Sequence, residues 1–263
     1  MKVPMFNRDP ASNDRGRGEI VLPRAILFDL DDTILAAGHR LEVLGLIAGE
    51  FAAELAPLRP AEVAERLEAA FAAFWSDPAR HGIARFGLSE ARRQVIVEAF
   101  VATGSKHLTP ELAARLAARF TACRDRLTDF FPGARETIET LKSRGVLLAL
   151  VTNGDSATQR AKIERFSLAP LFDHIQIEGE HDFGKPDERA YLHAMGALGV
   201  EAHETWMVGD NLEWEVAAPQ KLGIFAIWHD GIGQGLPEGS AVRPDRVIRA
   251  ISELLERQED VRS

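Results

Sequence analysis

The residues Phe28-Asp29-Leu30-Asp31-Asp32-Thr33, directly behind the apolar run Ala25-Ile26-Leu27, read as a buried strand that ends by presenting carboxylates. In an extended segment residues i and i+2 project to one face, so Asp29 and Asp31 are expected to point together, with Leu30 turned into the core. Two carboxylates that close repel unless a cation lies between them or one keeps its proton. Taken alone, the hexapeptide fits equally a polar strand end in which Asp32 or Thr33 caps the next turn.

Three more polar clusters follow apolar segments. Thr152-Asn153-Gly154 comes after Leu147-Leu148-Ala149-Leu150-Val151, and Gly184-Lys185-Pro186 lies beyond the segment carrying Ile175 and Ile177. Gly209-Asp210-Asn211 comes after Trp206-Met207-Val208. Singly, each is ordinary turn or loop chemistry. In open α/β sheets, however, ligands bind beyond the carboxyl ends of the strands. Together the four clusters bring a lysine, a hydroxyl and several carboxylates to one crevice.

The elements that position them fall in two blocks. From about His39 to Asp129 the periodicity is helical, with helices expected over Arg40–Leu55, Pro60–Trp75, Ser89–Thr103 and Pro110–Leu127. Asp77-Pro78 reads as a stop, Ser89 as a cap-like start, and Thr109-Pro110 as a cap with proline at the first helical position. From Pro132-Gly133 onward helices alternate with short apolar strands: Val146–Val151, His174–Ile177, Thr205–Val208 and Ile224–Trp228. That alternation predicts an α/β fold with a doubly wound parallel sheet. A closing helix is expected over Asp245–Arg257. The domain reading is a flexible lead-in over residues 1–22, polar from Met1 to Glu19, a Rossmann-like core over 23–38 and 130–263, and a four-helix insertion over 39–129.

The chain has 263 residues, 46% of them hydrophobic, and a formal net charge of −9. It is large enough for a core domain with a smaller companion. Its charge argues against a nucleic-acid or anionic-membrane surface, which needs a basic footprint. A small anionic substrate needs only a local cation. Cys123 is the single cysteine, which excludes an internal disulfide and fits a reducing compartment. No apolar run approaches a membrane span and the N-terminal stretch has no signal-peptide centre, so a cytoplasmic protein is expected. Oligomeric state has no signal in the sequence.

The four clusters, in this order and spacing, resemble the motifs of the haloacid dehalogenase superfamily of phosphotransferases and hydrolases. Its Asp-x-Asp motif is matched by Asp29 and Asp31, its Thr/Ser motif by Thr152, its lysine by Lys185. Its Gly-Asp followed by a further acid is matched by Asp210 with Glu215, or with Glu213. Where the family usually has an aspartate five residues past Asp210, this chain has Glu215. The helical insertion is similar to the subclass with a four-helix cap that closes over the core. The resemblance implies a phosphatase. Asp29 would be the nucleophile forming an aspartyl-phosphate, Asp31 the proton donor and acceptor, and Lys185 a fixed positive charge. Thr152 and the amides of Asn153 and Gly154 would bind the phosphoryl oxygens. Mg²⁺ would lie between Asp29, Asp210 and the main-chain carbonyl of Asp31. An acid at Asp31 argues against a dehalogenase, because a halide leaves without a proton and an alcohol does not.

The expected substrate is a small phosphorylated metabolite, a sugar phosphate or a nucleoside monophosphate. A phosphomutase of the same superfamily and a non-catalytic phospho-ligand-binding protein are the alternatives. Trp75, His81, Arg85, Phe86, Arg92 and Arg93 are positioned to line the space under the insertion. Bundle packing for the aromatic residues and a solvated face for the arginines is the simpler account. A phosphate loop at Gly179–Lys185 is rejected because Pro186 stands where a hydroxyl residue must hold the metal. Cys123 has Asp129 where a cysteine phosphatase needs arginine, and reads as a small buried hydrophobe.

Overall fold

In the computed structural model the described residues are 21–75, 80, 87–104 and 108–256. The lead-in over Met1–Glu19, the Asp77-Pro78 stop, and His81, Arg85 and Phe86 lie outside them. The core is a six-stranded, wholly parallel sheet. Its strands are β1 (Ala25–Phe28), β4 (Leu147–Thr152), β5 (His174–Ile177), β6 (Thr205–Gly209), β7 (Phe225–His229) and β8 (Arg246–Ile248). They lie in the order β5-β4-β1-β6-β7-β8. The chain winds outward from β1 through β4 to β5, then returns to lay β6, β7 and β8 on the other side. The switch point therefore falls beside β1, where such sheets bind ligands.

The strands are apolar on both faces because helices cover both. Ile26, Phe28, Leu148 and Leu150 pack with Ile138 and Leu141 of α6 (Ala134–Ser143) and Ile163 of α7 (Ser156–Arg165). Ala25, Leu27 and Met207 pack on the opposite face with Tyr191 and Met195 of α8 (Glu188–Leu198). Register places Phe28 level with Leu150 and Val208, so β4, β1 and β6 end side by side.

Between β1 and the rest of the core lies a helical insertion: α1 (Arg40–Glu50), the single turn α2 (Ala52–Leu55), α3 (Pro60–Trp75), α4 (Leu88–Ala102) and α5 (Pro110–Leu127). It has its own apolar centre of Leu44, Ile47, Leu67, Phe71, Ile96, Leu116 and Phe120, which includes buried Cys123. Thr109 caps α5 by accepting from the Leu112 N–H at 3.3 Å. Two expectations are corrected here. The first helix breaks at Phe51, whose backbone leaves the helical region. Residue Ser89 lies inside α4, whose cap is Gly87.

The chain leaves and re-enters the core through two short segments, β2 (Leu35–Ala36) and β3 (Asp129–Phe130), paired antiparallel. Two-residue strands leave no period-2 signal, so they were not expected. The expected closing helix is also corrected: Arg246–Ile248 forms the edge strand β8 and only Ile251–Leu255 coils, as a 3₁₀ turn. Ile248, Ile251 and Leu254 recur at helical spacing and are all buried. What overrides the period is the free edge of β7, to which Asp245 is tied by accepting the Ala226 N–H at 2.8 Å.

Candidate active site

Strand β1 delivers Asp29 while still holding its main chain: the Asp29 N–H donates to Val208 O at 3.0 Å. Beyond it the extended path stops. Ile34 and Leu35 both donate back to Leu30 O, and Asp32 takes a positive φ of 57°. Strand β1 itself ends at Phe28, so the expected pairing of Asp29 and Asp31, with Leu30 turned into the core, is made at the turn that follows the strand. Both line the same cleft, but each has a different cation. The Asp29 Oδ1 takes Lys185 Nζ at 2.6 Å, and the Asp31 Oδ1 takes Lys162 Nζ at 2.6 Å.

Lys185 has 0% of its side chain exposed and a second carboxylate, Glu215 Oε1, at 2.7 Å. Burial alone would push the ammonium group down, but Asp29 and Glu215 more than offset it and hold it charged above the usual lysine range. The loop is locked by a reciprocal pair: Asn153 Nδ2 donates to Lys185 O at 2.7 Å, and the Lys185 N–H to Asn153 Oδ1 at 2.9 Å. Glu215 sits on a π-helical turn, Leu212–Ala217, and accepts the Asn211 N–H through Oε2 at 2.8 Å. It packs so tightly over the end of β6 that a Cβ on Gly209 would lie 1.9 Å from Glu215 Cγ, so glycine is required there. Glu213, exposed on the same turn, faces away. Of the two acids left open by the sequence, Glu215 belongs to the site, as the partner of Lys185.

Asp210 follows β6 and joins Asp29 through Thr33, whose hydroxyl lies 3.2 Å from Asp29 Oδ2 and 3.5 Å from Asp210 Oδ1. Burial, then the charges of Glu215, Asp29 and Asp32, push the Asp210 carboxyl well above the usual range. The floor thus carries more negative charge than Lys185 neutralises. A hard divalent cation relieves that imbalance, and the oxygen donors fit one. Among the described residues no three acidic, histidine or cysteine side chains form a metal cage by themselves. Two carboxylates and a carbonyl would leave positions for water and substrate, as Mg²⁺ sites do.

Thr152 ends β4 at the cleft, and its hydroxyl accepts from Gln159 Nε2 at 2.5 Å. Gln159 also reaches Asp31 Oδ2 at 2.9 Å. Burial pushes the Asp31 carboxyl up, but Lys162 and Gln159, with Arg124 further off, outweigh it and hold it below the ordinary range. Gly154 lines the cleft, but its N–H is already given to Glu178 Oε2 at 3.1 Å. The expectation that this amide binds a phosphoryl oxygen is corrected, because a buried carboxylate occupies it.

The cleft has a volume of about 410 Å³ and lies between this floor and a roof from the insertion. Trp75 and Arg92 are in the roof, whereas Arg93 is exposed and pairs with Glu90. The roof also holds Arg40, Phe71, Phe120 and Arg124. Thr33, Gln159, Lys162, Arg40 and Arg124 were missed in the sequence. Gln159 and Lys162 left one usable signal, an i, i+3 pair on the helix that starts behind Thr152-Asn153-Gly154.

Residues 23–223 match the family model of haloacid dehalogenase-like hydrolases. The chain is 33% identical over 250 residues to a phosphoserine phosphatase of Thermus thermophilus, covering 88% of this chain and 97% of that one. It is 36% identical over 110 residues to an N-acylneuraminate-9-phosphatase of Rattus norvegicus, covering 41% of this chain and 44% of that one. Among solved structures, magnesium-bound HAD-hydrolase YfnB of Bacillus subtilis superposes with a TM-score of 0.68 at 22% identity. That match covers 89% of this chain and 97% of the other and bears on the fold. No helix among the described residues is long and apolar enough to cross a membrane. Sheet order, strand-end carboxylates, buried lysine and family match agree: the chain belongs to the haloacid dehalogenase-like hydrolases, as an enzyme of their phosphatase branch.

Proposed function

We propose that this enzyme is a Mg²⁺-dependent phosphomonoesterase that works through an aspartyl-phosphate on Asp29. The observation that carries the reading is the Asp29 carboxylate, clamped between Lys185 at 2.6 Å and Thr33 at 3.2 Å at the mouth of β1, with Asp210 on the same hydroxyl. The carboxylates of Asp29 and Asp210 and the main-chain carbonyl of Asp31 would hold the metal. When bound, it screens the repulsion between an anionic nucleophile and an anionic phosphoryl group.

Asp29 attacks phosphorus, an acyl-phosphate bond forms between its carboxylate oxygen and phosphorus, and the ester bond from phosphorus to the alcohol oxygen breaks. Asp31, which must leave Lys162 and take up a proton from solvent as substrate binds, gives that proton to the leaving oxygen. Water then attacks the phosphoryl group, Asp31 takes the water's proton, and the Asp29 carboxylate is restored as phosphate leaves. Lys185 supplies fixed positive charge next to the reacting oxygens, and Thr152 orients the phosphoryl group by its hydroxyl. The helical insertion acts as a cap that keeps bulk water out.

The substrate is a small phosphorylated metabolite, as for the phosphoserine phosphatase matched over nearly its whole length. Phosphate release from an aryl phosphate tests the reading. A chelator should abolish it and added Mg²⁺ restore it, whereas full activity in chelator would remove the metal from the account.

A further inference from the structure

On the floor of the cleft the charged groups have partners close by. The roof is different. Arg40 is held by Glu68 through two contacts, at 2.7 and 2.5 Å. Arg124, on α5, gives Nη1 to Gly38 O at 3.1 Å and binds no carboxylate among the described residues. Arg92, on α4, makes no hydrogen bond or ion pair among them; its guanidinium lies over the Phe120 ring, 5.6 Å from the centroid. Both arginines are half-buried. Burial first, and the Arg124 charge second, pull the Arg92 guanidinium down to about 10. Asp125, Asp31 and Asp32 face it without a hydrogen bond, and Asp31 is taken by Lys162.

Two neighbouring guanidinium groups facing one cleft, half-desolvated and without a bonded anion, are costly unless something supplies the counter-charge. The planar donor fork suits an oxyanion, carboxylate or phosphate, better than any neutral group. The reacting phosphoryl group belongs at Asp29 on the floor, where Lys185 already supplies its positive charge. We propose that Arg92 and Arg124 bind a second anionic group, a carboxylate or a second phosphate, on the alcohol part of the substrate. The inference rests on the phosphatase reading of the floor. It narrows the substrate class: a neutral sugar monophosphate or a nucleoside with one phosphate would leave both arginines unpaired. Phe71, Trp75 and Phe120 supply an apolar wall for a short carbon skeleton between the two anions.

Calorimetric titration of the Asp29→Asn protein in Mg²⁺ tests this without turnover. Two matched pairs are compared: 3-phosphoglycerate against glycerol 3-phosphate, and fructose 1,6-bisphosphate against fructose 6-phosphate. The first pair reports a carboxylate and the second a second phosphate. At least one of the two members that carry a second anionic group, 3-phosphoglycerate or fructose 1,6-bisphosphate, should bind about tenfold or more tighter than its partner, as a charge-assisted pair implies. That preference should fall to within about threefold in Arg92→Gln and, separately, in Arg124→Gln, each checked for an unaltered melting transition. Equal binding within both pairs, no measurable binding of any member, or a preference that survives both substitutions would overturn the proposal. Aryl phosphate turnover by the unaltered protein reports on the floor separately, so an active enzyme with flat selectivity refutes the roof alone.

Discussion

Floor and roof of the cleft differ in how far their polar groups are already engaged. On the floor Asp29, Lys185 and Glu215 form one buried chain of ion pairs, Asp31 is matched with Lys162, and Asn153 pins the Lys185 loop. On the roof Arg92 and Arg124 are bonded to no carboxylate among the described residues, beside aromatic rings. The floor grows from the ends of adjacent parallel strands, whose spacing the sheet fixes. The roof comes from helices with an apolar centre of their own. A preorganised floor suits one reaction performed on many molecules, and a roof with free donors suits choosing among them.

The largest way to break that contrast is at Lys185. Lys185→Met should lower kcat by roughly 10²–10³, by analogy with other lost electrostatic donors. It also leaves Asp29 and Glu215 buried without a counter-charge, a loss of about 3–5 kcal/mol. At about 2–4 °C per kcal/mol for a chain of this size, the melting temperature should drop visibly. Adding Glu215→Gln should recover part of the melting temperature and none of the kcat. Recovery of both would mean that Lys185 serves the fold alone.

A smaller effect is expected at Lys162. It holds the Asp31 carboxyl below its ordinary range, so Lys162→Met should raise that group. If ionised Asp31 is the base that activates water, the acid limb of the kcat profile then moves to higher pH. An unmoved limb would assign it to another group.

The smallest effect is expected at two histidines. Burial pulls both His174 and His229 below the ordinary histidine range, and each keeps a buried Nε2 without a hydrogen-bond partner among the described residues. The unfolded chain binds the protons more readily, so stability is full above about pH 6.5 and falls as pH drops below it. Melting between pH 8 and 5 should show this slope, and His174→Gln should flatten it. A slope unchanged in that variant would clear His174.

The sequence made Asp29, Thr152, Lys185 and Asp210 legible because a short apolar strand followed by a polar cluster marks a strand exit, and parallel sheets gather exits. It could not say which cation each carboxylate takes. Asp31 and Lys162 are 131 residues apart, and their meeting depends on α7 lying beside the β1 exit. Thr33 read as a cap because a hydroxyl next to aspartates has local partners, and only the β6 exit brings Asp210 within its reach. The edge strand β8 was hidden by helical spacing over apolar residues that a neighbouring strand edge overrode.

Covalent capture on Asp29 is the central claim, and intact-protein mass after rapid acid quench tests it most directly. With an aryl phosphate, whose leaving group hardly needs a proton, Asp31→Asn should still phosphorylate Asp29 slowly and lack the base for release. That protein should therefore accumulate one phosphoryl group, mapped to the peptide containing Asp29, while Asp29→Asn should show none and release no phosphate. A phosphoryl adduct on Asp29→Asn, or one mapped to a peptide without Asp29, would contradict the account.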